Sequence, residues 1–361
     1  MEKTYLDYDV ADNAVEAEKN ISRPENNNYN KVAFDVKNYL NVKLEKNETQ
    51  KTIYIRLLPF PDTRTPFLHI HMHRLMVPKE ISESGFRSFV CLEKTEGLDE
   101  SKYGKKCPFC ELSKASYKEA KTETDQDKKK VLKDRGKDNM SSEYVIMRCI
   151  ERGKEDEGVK FWKTAIHQAK DDPYSQICIL AENRKNEWLA SPTNEGKDPK
   201  ESNILSINDY GYDLMVTISK KAETDKNGKV REKTSYMVSD VKYPSPLSPD
   251  PEQAKAWVFD EKKWFDVFVP KPYDYMALVM QGKLPWYDRA LGKWVSREEK
   301  EEKEKEEVKQ AEEKIKEAEK ISTGALAQPV TKTEMPVSVQ KQLAEEPSGV
   351  YEGTPEDDLP F

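Results

Sequence analysis

The chain has 361 residues, of which 36% are hydrophobic and 35% charged, too polar for all of it to pack as one globule. It has no apolar run long enough to span a bilayer, and its acidic N-terminus lacks the apolar stretch of a secretory leader, so neither membrane insertion nor export is expected. The net charge of −7 is uneven: residues 1–30 carry 3 basic and 7 acidic side chains, residues 296–361 carry 10 and 18, and residues 31–295 keep 47 and 42. A basic body between acidic ends suits a polyanionic partner with which the tail competes.

Residues 1–30 end in Arg23-Pro-Glu-Asn-Asn-Asn and read as an acidic mobile arm. The first strand is expected at 52–59, where Ile53, Ile55 and Leu57 share one face. Further strands are expected at 66–77, 86–92, 143–150, 158–166, 212–219 and 234–241, all rich in β-branched and aromatic residues. Residues 186–189 and 207–212 fit either a helix or a strand. Asn227-Gly228 is a hairpin turn signal between the last two strands. Short strands with long connections predict a small barrel or sandwich. Residues 111–137 carry helical spacing, and residues 102–137 hold 12 Lys and Arg against 6 Asp and Glu.

Residues 246–295 hold Trp257, Phe259, Trp264, Phe265, Phe268, Tyr273, Tyr275, Trp286 and Trp294, and are expected to be helical, with the rings packed on the core. Ser296 with Glu299 forms a capping box for a charged helix over 296–321, with only Val308, Ala311, Ile315 and Ala318 as an apolar stripe. Residues 322–355, with four prolines and little apolar content, read as a disordered linker.

Five cysteines without an export signal point to metal binding, catalysis or burial rather than disulfides. Cys107-Pro-Phe-Cys110 offers two thiolates to one tetrahedral ion, and Cys91 lies 16 residues upstream at the end of an expected strand. His69, His71 and His73 alternate along one strand, so all three point to the same side. One of them with Cys91, Cys107 and Cys110 makes a Cys₃His zinc site. A thiol–disulfide motif would follow a buried strand and open a helix in a parallel α/β unit; here the stretch follows the polar Tyr103-Gly-Lys-Lys, with no parallel α/β pattern around it. No His-Glu-x-x-His or deaminase signature is present, so one structural zinc and no catalysis are expected. Cys149 and Cys178 sit in apolar runs as buried side chains.

The order Ile55-Arg-Leu-Leu-Pro59, Pro66 to His73, a strand ending at Cys91, then Cys107-Pro-x-Cys110 before 111–117 resembles the helix-destabilising single-stranded-DNA-binding proteins of T-even bacteriophages, over about residues 35–245. The resemblance implies an OB-fold over 31–245 with a zinc-binding subdomain at about 66–140, and single-stranded DNA in a basic cleft between them. The resulting fold is mainly β, an OB-fold barrel with a zinc-binding insertion, helical C-terminal additions and a disordered acidic tail. Aligned on the motif, the family's zinc histidine falls on His73, with His71 the alternative on the same face. Self-association on DNA is also implied, although the family's short basic N-terminal motif is replaced here by the acidic arm. The family's setting is phage DNA replication, recombination and repair in the cytoplasm of the infected bacterial host.

Sequence-independent binding needs cations for phosphates and aromatic faces for bases. Lys105, Lys106, Lys114, Lys118 and Lys121 supply the first, and Trp162 between Lys160 and Lys163 forms a second patch. By resemblance Tyr103, Tyr117 and Tyr144 are stacking residues, and Arg74 completes the set. The terminal Glu356, Asp357, Asp358, Leu359, Pro360 and Phe361 resemble the acidic tip of bacterial single-stranded-DNA-binding proteins. That likeness implies docking of replication and repair proteins, such as a polymerase, helicase loader or primase. The alternative is a zinc-containing RNA-binding or transcription-regulating module, which a strong sequence preference would favour.

Overall fold

The structure, a computed structural model, describes residues 38–322 except 80, 83, 168, 225–229 and 290. The expected arm, the linker beyond Ser322, the acidic tip and the Asn227-Gly228 turn lie outside the described residues. The chain divides into two compact units: residues 38–75 with 88–273, and residues 76–87 with 274–322.

The strands form where alternation places them: β1 (Gln50–Leu58), β2 (Phe67–Met76), β3 (Phe86–Val90), β4 (Ser142–Glu151), β5 (Lys160–Ala165), β6 (Leu214–Thr224) and β7 (Val230–Asp240). They make one mainly antiparallel sheet in the order β3-β2-β4-β1-β6-β7, with β5 also on β4. Among the described residues no pairing joins β3 to β7, so the strands do not close into a ring. β4 is central. It pairs with β2 from Met147 to Ser142, with β1 from Glu151 to Arg148, and with β5 from Tyr144 to Cys149.

Residues of β4 therefore feed both faces of the sheet. Val145, Met147 and Cys149 join Ile53, Ile55, Leu57, Leu214, Val216 and Ile218 in one core. Tyr144 and Ile146 join Leu68, Ile70, Met72 and Phe161 in the other, under Trp264, Val267 and Phe268. Burial pushes the Cys149 thiol up to about 12, as befits an inert core residue. Cys178 is half-buried.

The insertion between β3 and β4 contains α1 (Glu100–Tyr103), α2 (Pro108–Thr122) and α3 (Gln126–Asp138); the last two are the halves of the expected lysine-rich helix. A further helix, α4 (Pro173–Ala190), absorbs the ambiguous 186–189 and packs Ile177 into the first core. Asp172 caps it by accepting from the Ser175 amide at 2.8 Å, and Pro173 opens it. Residues 207–212 are loop. The aromatic segment is helical only in part. It forms α5 (Pro251–Val258), α6 (Trp264–Val267) and α7 (Tyr273–Met280), and then a hairpin of β8 (Pro285–Asp288) and β9 (Lys293–Ser296) that carries Trp286 and Trp294. Cross-strand packing of Trp294 with Tyr287, ring centroids 5.3 Å apart, favours a strand there.

α8 (Arg297–Ser322) is the expected charged helix, with Val308 and Ala311 exposed. Its capping box is not made. Ser296 ends β9 with its Oγ buried and unpartnered, and the Glu299 carboxylate accepts from Lys283 Nζ at 2.6 Å. Among the described residues no helix is long and apolar enough to cross a membrane.

Two buried arginines lock loops to the sheet. Arg148 on β4 donates to the carbonyls of Pro59, Trp257, Val258 and Asp260 at 2.9–3.0 Å, closing the C-terminal end of α5. Arg56 on β1 donates to the carbonyls of Asn208 and Ser245 at 3.0 and 2.9 Å. Gly211 fits beside it for want of a side chain: a Cβ there would lie 1.8 Å from the Ser206 carbonyl oxygen and 2.5 Å from Arg56 Nη2. Gly211→Ala is therefore expected to destabilise the first unit by on the order of 3 kcal/mol. Denaturant unfolding of the variant checks this, and an unchanged midpoint would refute the packing described.

Candidate metal centre

Three segments converge on one buried point. His73 arrives on β2, Cys91 follows the end of β3, and Cys107 and Cys110 lie at the start of α2. All four side chains are buried, and one ligand atom from each lies within 4.8 Å of the others. Cys107 Sγ and Cys110 Sγ are 3.3 and 3.6 Å from His73 Nε2, and Cys91 Sγ is 3.5 Å from Cys110 Sγ. Tetrahedral coordination with metal–sulfur bonds of about 2.3 Å puts neighbouring sulfurs roughly 3.8 Å apart, so the spacing suits one ion.

Local chemistry explains each placement. Cys107-Pro-Phe-Cys110 opens a helix, as a thiol–disulfide motif also would: Cys107 is the N-cap and Pro108 the first helical residue. Thiolates are favoured there by the helix dipole. After β3 the chain folds back on itself. The Cys91 amide donates to the His71 carbonyl at 2.8 Å, and the Thr95 amide to the Cys91 carbonyl at 3.1 Å. His73 Nδ1 donates to the Asn139 carbonyl at 3.0 Å, which fixes the tautomer and leaves Nε2 for the metal. Phe109 covers the site, its ring 5.1 Å from that of His73.

The four groups also shift one another's ionisation. Burial lowers the His73 pKa, but the hydrogen-bonded Cys107 and Cys91 sulfurs outweigh it and raise it to about 9. Hydrogen bonds from Cys107 and Cys110 hold the Cys91 thiol far below its ordinary value, and those from Cys107 and Cys91 push Cys110 far above it. A divalent ion held by the thiolates and the neutral imidazole would replace this mutual protonation.

The structure distinguishes the three histidines. His69 is 2.6 Å from Glu143 through Nδ1. Half-buried His71 has its pKa lowered by burial, with Glu143 opposing. Neither belongs to the four-residue cluster. The sequence does not single out Asn139 as the partner of His73. It is the C-cap of α3, and Asn at a helix end is the one signal it offers.

The chain matches no protein-family model and no curated protein.

The expected nucleic-acid contacts separate by burial. On α2, Lys114, Lys118 and Lys121 are exposed around half-buried Tyr117, whose ring lies against Gly136 of α3. Lys114 pairs with Glu93. Tyr103 is half-buried with Lys102 Nζ 4.9 Å above its ring, and Lys105 and Lys106 beyond it are exposed, Lys105 at 2.6 Å from Glu100. Arg74 is exposed beside His73. The second patch lies mostly inside. Trp162 and Lys160 are each 2% exposed, and Lys160 pairs with Glu151 and Glu157. Tyr144 is core, and half-buried Lys163 sits over the Tyr144 and Phe268 rings at 5.7 and 4.8 Å. Sequence shows the interleaving of charge and aromatic residues in 160–163 but not that β5 faces inward.

Replacing Cys107 or His73 by Ala is expected to abolish binding of the ion, lower the melting temperature and loosen residues 91–140, because ligands so far apart in sequence are gathered by the ion. Elemental analysis and amide exchange check this. Full metal retention in His73→Ala, with loss in His71→Ala, would reassign the ligand.

Proposed function

We propose that the protein binds single-stranded DNA without sequence preference, through an insertion whose shape is set by one structural zinc ion. The observation that carries this is the buried Cys₃His cluster at the root of α2, whose exposed side bears Lys114, Lys118 and Lys121 around Tyr117. These lysines sit four and three residues apart, so they form one stripe. The stretch before α2 adds Tyr103, Lys105 and Lys106, and Arg74 follows His73 on β2. The exposed pairs Lys114–Glu93 and Lys105–Glu100 are weak and readily exchanged for phosphate. Zinc is the ion favoured by three thiolates and one imidazole in a closed site.

The OB-type barrel is part of this reading. It is supported by β4 taking β1 and β2 end to end along one edge and β5 along the other. The likeness to the T-even family supports a non-enzymatic role in phage replication, recombination and repair in the infected host's cytoplasm, with self-association on DNA. The acidic tip 356–361 would recruit replication proteins.

Binding to poly(dT) is expected to be roughly tenfold or more tighter than to duplex, since each stacked base adds about 1–3 kcal/mol. Lys118→Ala with Lys121→Ala should lower the slope of log affinity against log salt by about 0.7 for each phosphate that is no longer neutralised. Tyr103→Ala should weaken binding with little change in slope. Equal affinity for the two nucleic acids sinks the proposal, as does native protein without zinc for its metal part. Removing residues 351–361 should raise single-strand affinity at low salt only, because screening ends the tail's competition; a gain that persists at high salt contradicts that role.

A further inference from the structure

β6 and β7 run on past the rest of their sheet. β1 accompanies β6 only to Gln50 opposite Ser219, with one more hydrogen bond from the Lys220 amide to the Thr49 carbonyl at 3.0 Å. Beyond that, Lys221–Thr224 pair with Val230–Lys233 alone. Lys220, Lys221, Ala222, Thr224, Val230, Glu232 and Lys233 are all exposed, so both faces of this ribbon are wet. A two-stranded ribbon without a core is marginal by itself. From Ser219 to Thr224 it reaches roughly 17 Å, at about 3.3 Å per residue.

Its charge is one-sided. Its described strands, 220–224 and 230–233, contain Lys220, Lys221, Arg231 and Lys233 against Glu223 and Glu232. Lys221 stands directly opposite Lys233, a like-charge pair that costs stability unless an anion lies over it. The acidic neighbours neutralise it poorly: Lys220–Glu232 is 3.9 Å and Lys233–Asp171 3.7 Å, both in water. No Phe, Tyr or Trp occurs in 220–234, so the ribbon has nothing on which an unpaired base can stack. What it offers is a rod of cations of the width that the major groove of a duplex, about 12 Å, admits.

We propose that this ribbon is a duplex-binding arm, which lays Lys221, Lys233 and their neighbours against the phosphates bordering the groove of double-stranded DNA next to the bound single strand. The placement at a single-strand–duplex junction rests on the function proposed above; the duplex contact itself does not.

The test uses the full chain and three fluorescent probes: a (dT) strand, a DNA hairpin carrying the same (dT) strand as a tail, and the blunt hairpin. Two variants are compared with the native protein. One is K221Q/K233Q; the other replaces residues 223–231 by Asn-Gly, which keeps Ala222 opposite Glu232. The native protein should bind the tailed hairpin about tenfold tighter than the strand, the gain expected from a few added phosphate contacts at moderate salt. K221Q/K233Q, which removes the two named contacts, should lose most of that preference and keep its (dT) affinity and melting temperature. The shortened arm, which keeps Lys221 opposite Lys233, should lose part of it. The proposal is overturned if the native protein binds both probes alike, if the variants keep the preference, or if they weaken both probes equally. Should the native protein fail to bind (dT), the single-strand reading falls separately. The blunt hairpin then decides: weaker binding by both variants supports the arm, and unchanged binding overturns it.

Discussion

Keeping three thiols and one imidazole within 4.8 Å of each other in a buried site is the constraint on which the insertion between β3 and β4 depends. That insertion has little core of its own. Apart from the ligands, its buried side chains are mostly small or polar: Thr95, Ser113, Ser116, Ala120 and Asn139, with Leu92 and Phe109 as the main apolar contributions. α2 and α3 touch through the Ser113 hydroxyl on the Gly136 carbonyl at 2.8 Å and Arg135 Nε on the Ser116 hydroxyl at 2.8 Å. Contacts of this size do not offset the chain entropy of so long a segment. A metal ion held by these four side chains would supply on the order of 10 kcal/mol. Cys107 and Cys110 at the start of α2 would then tie the orientation of the lysine stripe to that ion.

Burial sorts the cations of the basic body into two kinds. Arg56 and Arg148 are inside, and their guanidinium groups are used on main-chain carbonyls. Burial lowers the Arg148 pKa to about 10, still well above neutrality, so it stays charged against the carbonyl end of α5. Lys160 is held by two carboxylates, and its pKa is raised because their hydrogen bonds outweigh burial. Such charges hold the sheet and its loops together and contribute little to steering a ligand. The lysines of α2, with Lys220, Lys221 and Lys233 of the β6–β7 ribbon, are exposed and contribute to the field at the surface.

The strands and the ligand cysteines are legible in the sequence because each depends on short-range pattern. Ile53, Ile55 and Leu57 alternate and are buried together; Cys107 and Cys110 lie one helical turn apart. The choice among His69, His71 and His73 is not legible from the pattern, since all three share a face and only the register of β2 against β4 carries His73 to the end of α3. α4 escapes the pattern although Asp172-Pro173 announces it, because only Pro173, Ser175 and Ile177 are fully buried and the rest of the helix shows no clean apolar face. Trp286 and Trp294 are expected in a helix on composition alone, which does not count the cross-strand partners they have in β8 and β9.

The outer edge of β7 shows how the same hairpin serves two purposes. Where it lies over the core, an unpaired edge would invite another strand. There Gln176 of α4 takes the place of a neighbouring strand: its Nε2 donates to the Tyr236 carbonyl at 3.0 Å and its Oε1 accepts from the Val238 amide at 2.9 Å. Arg184 adds a contact to Asp240 at 2.7 Å. Further out, Glu232 and Lys233 are exposed on the edge strand, and charge there discourages backbone pairing without closing the surface. One half of β7 is thus sealed by a side-chain amide and belongs to the fold. The other half is guarded only by charge, and charge remains available to a ligand that carries the opposite sign.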